Sequence, residues 1–209
     1  MDEGGSEDRT RESRVVDVVT VFLLSVTAVL TAWCGFEASK WGGEMSIAFS
    51  QASSARIQAA AAEGEARDAR QYDLTIYAQW VLAVADERQQ LAEFIEARFS
   101  PEFRVAFDAW EAGGRAEQGP LAMAEYIPPG TDEAIAHAAR ADAKFEEALR
   151  NNQRGDDYSL LTVMFALVLF LTAMSQRDFT AWVRRTLLGL AVAVGIVLIV
   201  VLSTFPIRI

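Results

Sequence analysis

Glu133 and His137 stand four residues apart, a spacing that puts both on one helix face and could let them share a metal ion. No second histidine exists, and the Glu-x-x-His pattern of carboxylate-bridged metal bundles is absent. His137 therefore reads as a solvated or locally paired side chain. Glu146-Glu147 and Asp156-Asp157 could attract calcium loosely, but the spacing of a calcium loop is missing, and solvated helix faces commonly look like this. Cys34 is the single cysteine, which excludes an intramolecular disulfide and a thiol-rich metal site. No Gly-x-Ser-x-Gly elbow, phosphate-binding glycine loop or Cys-His pair can be found. The expectation is a protein that is not an enzyme and holds no metal or cofactor.

The elements that carry these residues have membrane composition. The chain has 209 residues, 52% of them hydrophobic, with a mean hydropathy of +0.14. Three stretches hold the apolar excess: 18–36 (VVTVFLLSVTAVLTAWCGF), 158–176 (YSLLTVMFALVLFLTAMSQ) and 186–205 (TLLGLAVAVGIVLIVVLSTF). At about 1.5 Å per residue each is close to the roughly 30 Å hydrocarbon thickness of a bilayer. None carries an Asp, Glu, Lys, Arg or His in its middle, so the usual mark of a proton relay or ion pathway is missing, with Asp17 at the edge of the first span the nearest candidate. The net charge of −10, without a clustered basic face, argues against nucleic acid.

The first stretch fits a cleaved signal poorly. Residues 1–17 hold six acids against three arginines, the apolar run is long, and only Ala32-Trp33-Cys34 offers a weak cleavage pattern. It reads as a retained span, with Trp33, Phe36 and Trp41 at the exit interface. Arg9, Arg11 and Arg14 precede it, and Arg177, Arg184 and Arg185 join the second span to the third. The positive-inside rule puts both segments in the cytoplasm, although Arg208 opposes it. The organisation that follows is a cytoplasmic tail (1–17), a first span (18–36), an extracytoplasmic region (37–157), a second span (158–176), a basic loop (177–185), a third span (186–205) and a short outer end (206–209).

Residues 37–157 hold 22 acids and 12 basic residues. Leu74, Tyr77, Val81, Val84, Leu91 and Ile95 recur at alternating spacings of three and four, with Arg88 in the one missing slot, and Ala134, Ala138, Ala141, Phe145 and Ala148 share the rhythm, which predicts two antiparallel helices in coiled-coil fashion. The first runs to about Phe99, with an interruption conceivable at Gly42-Gly43. Ser100 caps a short helix from Pro101, Gly113-Gly114 ends it, Gly119-Pro120 and Ile127-Pro128-Pro129-Gly130 mark a loop, and Thr131 restarts a helix that runs into the second span. Trp80, Phe94, Phe99, Phe103, Phe107 and Trp110 form a candidate interaction surface, though aromatics at helical spacing are more often core. Thr27, Thr31 and Gly35, with Gly189 and Ala193, and Ala191 and Gly195, follow the small-xxx-small pattern that lets spans pack closely.

The segments WGGEMSIAFSQASSAR (41–56), RFSPEFRVAFDAW (98–110) and DDYSLLTVMFALVLF (156–170) resemble those of a group of uncharacterised bacterial inner-membrane proteins with one amino-terminal span, a helical extracytoplasmic region and two carboxyl-terminal spans. The resemblance implies the same topology and a bacterial source, and it brings no activity. The expected fold is thus an all-α integral membrane protein with three transmembrane helices and an extracytoplasmic antiparallel helical hairpin. The expected role is structural or accessory, with the bilayer and either further copies or a membrane or extracytoplasmic protein as partners. A small channel or transport component, lined by Ser25, Thr27 and Thr31, and an extracytoplasmic ligand sensor are the alternatives.

Overall fold

The computed structural model describes residues 4–177 and 179–207, with side chains described from Arg14 onward except at residue 15. Arg9, Arg11 and Arg208, used above for orientation, lie outside the described side chains. Among the described residues the chain is all-helical: α1 (Gly4–Ala85), α2 (Gln89–Glu96), α3 (Pro101–Ala112), a 3-10 turn (Pro120–Ala122), α4 (Thr131–Ser175) and α5 (Ala181–Ser203). Three of these helices, α1, α4 and α5, are long and apolar enough to cross a membrane. Gly42-Gly43 does not interrupt α1, and Arg184 and Arg185, expected in a loop, belong to the first turns of α5. The chain divides into two compact units, one comprising the residues up to Ala48 and from Glu147 onward, the other Phe49–Glu146. Residues 37–48 and 147–157, expected in the outer region, thus pack with the span-bearing unit.

In that first unit Thr20, Thr27, Cys34, Trp41 and Ala48 of α1 are buried at intervals of seven residues, as are Asn151, Tyr158, Phe165 and Thr172 of α4. This period keeps one stripe of a helix facing one neighbour. The helices are antiparallel: Gly155 of α4 lies against Ala38 and Trp41, whereas further along, Gly195 of α5 sits between Leu23 of α1 and Val168 of α4. A β-carbon on Gly155 would meet the Ala38 carbonyl oxygen at 3.5 Å, so the two backbones approach closely there. α5 adds Leu188, Ala191, Gly195 and Leu198 to the interior.

In the second unit Ala52, Ala55 and Ala59 of α1 and Ala134 and Ala141 of α4 are buried, Phe49 meets Phe145 edge-on at 5.5 Å, and Gly130 abuts Ala62. Small side chains let these antiparallel segments come together. α1 ends at Ala85, short of the expected Phe99. Glu87, at φ 56°, takes the left-handed position, and the N–H groups of Arg88 and Glu87 return to the carbonyls of Ala83 and Val84. This is a Schellman termination with a glutamate where glycine is usual. The buried face of α1 is also displaced from the expected one. Asp73, Trp80 and Ala83 point inward with Ile76 and Tyr77 half-buried, while Leu74, Val81 and Val84 are exposed. On α4 Ala138 is exposed and Phe145 half-buried.

Candidate functional site

The short helices follow local chemistry. The Ser100 hydroxyl accepts from the Phe103 N–H at 3.1 Å, Pro101 occupies the first turn, and Gly114, at φ 68°, ends α3. Arg104 ties α3 back to α2, donating to the Glu96 carboxylate at 2.7 Å and to the Glu96 carbonyl, with its guanidinium over the Phe99 ring. These links turn the aromatic faces of α3 inward.

The candidate interaction surface is therefore corrected. Trp80, Phe99, Phe103, Phe107 and Trp110 are buried in one core with Ala83, Ala92, Ala106 and Tyr126. Their rings meet mostly edge-to-face, Trp80 with Phe107 at 5.0 Å and Phe99 with Phe103 at 4.8 Å. Phe94 alone of the six is exposed, at 55%, and Arg98 lies over its ring. The Trp110 indole donates to the Glu117 carbonyl at 2.9 Å, which fastens the loop after α3.

Against this core sits a buried carboxyl group that sequence reasoning missed. Asp73 is 1% exposed and accepts a hydrogen bond from the Tyr126 hydroxyl at 2.8 Å, while its Oδ1 has no hydrogen-bond partner. Arg70 spans the pair, donating to the Leu121 carbonyl with its guanidinium 5.8 Å from the Tyr126 ring. Burial first, and the Asp73 hydrogen bond second, push the Tyr126 phenol well above its ordinary value.

In the span-bearing unit the small-residue pairs separate. Thr27 and Gly195 are buried and Thr31 half-buried, whereas Gly35, Gly189 and Ala193 are exposed. Close packing inside the unit uses Ala191 and Gly195, and the Gly189–Ala193 face points outward. The Thr31 and Ser25 hydroxyls donate to the Thr27 and Val21 carbonyls of their own helix.

Glu37 reads in the sequence as the polar end of the first span. It is instead 0% exposed, within electrostatic reach of Cys34 and Tyr158. Trp41 is buried one turn on, under the Arg154 guanidinium at 4.6 Å, and Tyr158 donates to the Pro206 carbonyl at 3.0 Å. Asn151 is buried as well. A carboxylate, a thiol, a phenol and an indole thus form a polar layer where α1 and α4 leave the apolar stretches. The available signal was register: Glu37 lies three residues after Cys34 and four before Trp41, on their helix face.

Among the described residues no group of three or more His, Cys, Asp or Glu could hold a metal ion. Asp156 and Asp157 accept from the Asn152 and Gln153 amides one turn back, as a solvated helix face does. No family model, no curated protein and no solved structure matches the chain.

Proposed function

We propose that this chain is a structural or accessory membrane protein, anchored by its three apolar helices, whose second unit docks further copies or a protein partner. The observation that supports this is the stripe of Leu74, Val81 and Val84 on α1, exposed beside a core that already encloses the aromatic rings. Apolar side chains lined up on one face and left to solvent are what an interface leaves on a single copy. The orientation that goes with it has the amino terminus in the cytoplasm, from Arg9, Arg11, Arg14, Arg177, Arg184 and Arg185, and the second unit outside. By resemblance the membrane is a bacterial inner membrane.

The test is the native mass of the protein extracted from its own membrane in mild detergent. The expected mass exceeds that of one 23.0 kDa chain, and Leu74→Lys with Val81→Lys returns it to that value. A wild-type protein that runs as a monomer with nothing bound would sink the reading.

Glu37 favours a second reading, a channel or transport component, because an ionisable group buried at a membrane boundary marks ion and proton pathways. Proton or cation flux into liposomes that is unchanged by Glu37→Gln would remove it.

A further inference from the structure

Asp17 and Thr20 of α1, Ser175 and Gln176 at the end of α4 and Arg184 in the first turn of α5 line a cleft of about 260 Å³. Arg184 is half-buried, and its Nε is shielded from solvent without a hydrogen-bond partner. Asp17 shares the cleft, yet no ion pair joins the two. The Thr20 and Ser175 hydroxyls donate to the Val16 and Thr172 carbonyls, which leaves their oxygens as acceptors. A guanidinium and a carboxylate that face one opening without meeting leave room for a ligand carrying both charges.

The wall supplied by α1 continues as an apolar helix face formed by Val18, Val21 and Phe22, with Asp17 and Val21 also lining the cleft. Val18, Val21 and Phe22 are all exposed on the first apolar stretch. Nearby in sequence Trp182, at 75% exposure, and Phe179 present the aromatic rings that lie at headgroup level. A small charged cleft beside an exposed apolar helix face offers a place to each end of a phospholipid.

We infer that this is a binding site for a zwitterionic phospholipid with a primary ammonium in its headgroup. The phosphate lies on the Arg184 guanidinium, whose donors match its oxygens, and the ammonium donates to Asp17. One acyl chain follows Val18, Val21 and Phe22. An anionic headgroup without the ammonium sets its charge against Asp17, and a quaternary ammonium has no N–H to donate. The site is independent of what the second unit docks.

The full chain, delipidated in mild detergent, is offered equal amounts of phosphatidylethanolamine, phosphatidylcholine and phosphatidylglycerol with identical acyl chains, and the retained lipid is measured by native mass. Phosphatidylethanolamine is expected to exceed each of the others by about tenfold, the size of one charge-assisted hydrogen bond. Arg184→Gln lowers its retention by about tenfold, and Asp17→Asn erases the preference among the three lipids. Inorganic phosphate is included as a competitor. Displacement of the lipid by phosphate would reassign the cleft to a free anion. Equal retention of the three lipids overturns the inference, as does a preference unchanged by Asp17→Asn. Should Arg184→Gln fail to fold, wild-type selectivity and the exposed Asp17 still decide it.

Discussion

At Gly130 and Tyr126 single atoms carry consequences that can be measured. Gly130 has φ 87°, and a β-carbon there would run into the Ala62 carbonyl oxygen. Gly130→Ala therefore combines left-handed strain with a clash against backbone, and is expected to cost at least about 1–3 kcal/mol, read as a fall in the melting temperature of the purified protein. Tyr126→Phe removes the donor to Asp73 and leaves a buried carboxylate with neither oxygen paired to it, a cost of about 1–3 kcal/mol. The pH dependence has a definite sign. Because the folded phenol ionises above its ordinary value of 10.0, its contribution is whole below that pH and is lost as pH rises through the folded value. Wild-type stability should thus decline above about pH 10 more steeply than that of Tyr126→Phe. Equal slopes in alkaline melting curves would count against it.

At the scale of elements, what the sequence reveals is what local chemistry decides. Ser100-Pro101 and Gly113-Gly114 bound α3 as expected because cap and terminator act within a few residues of themselves. Ser100→Ala should accordingly cost about 1 kcal/mol, visible in the same melts. The end of α1 was hidden because Glu87 occupies a site that glycine usually fills, and no residue there announces a stop. Glu87→Gly should relieve the strained φ and stabilise by up to about 1 kcal/mol, and a destabilisation would show that the glutamate side chain has a role of its own. Other features were hidden by distance. Asp73 finds Tyr126 across 53 residues, and Glu37 is enclosed only once α4 brings Tyr158 beside it. Hydropathy treats both carboxylates as surface groups because it has no information about partners. The register of α1 slipped for a related reason: aliphatic spacing favours Leu74, Val81 and Val84, whereas the packing is decided by Trp80 and by the ring core that receives it.

For the whole molecule, the proposed orientation makes a sharp prediction, and the chain supplies its own control. Its single cysteine, Cys34, is fully buried, so a membrane-impermeant maleimide should label intact cells carrying the wild-type protein only at background. In a Cys34→Ser background, Val105→Cys places an accessible thiol on the exposed face of α3 in the second unit, and Thr180→Cys places one in the turn between α4 and α5. Three spans put these two positions on opposite sides of the bilayer, whichever way the chain faces. The basic residues around α5 then fix the direction: Val105→Cys reacts from outside intact cells, and Thr180→Cys reacts only after the membrane is opened. The reverse pattern would invert the topology and move the Leu74–Val81–Val84 stripe, and any partner it docks, to the cytoplasm. Labelling of both from one side would mean that one of the long apolar helices does not cross, so the anchor itself would have to be redrawn around α1 or the α4–α5 pair.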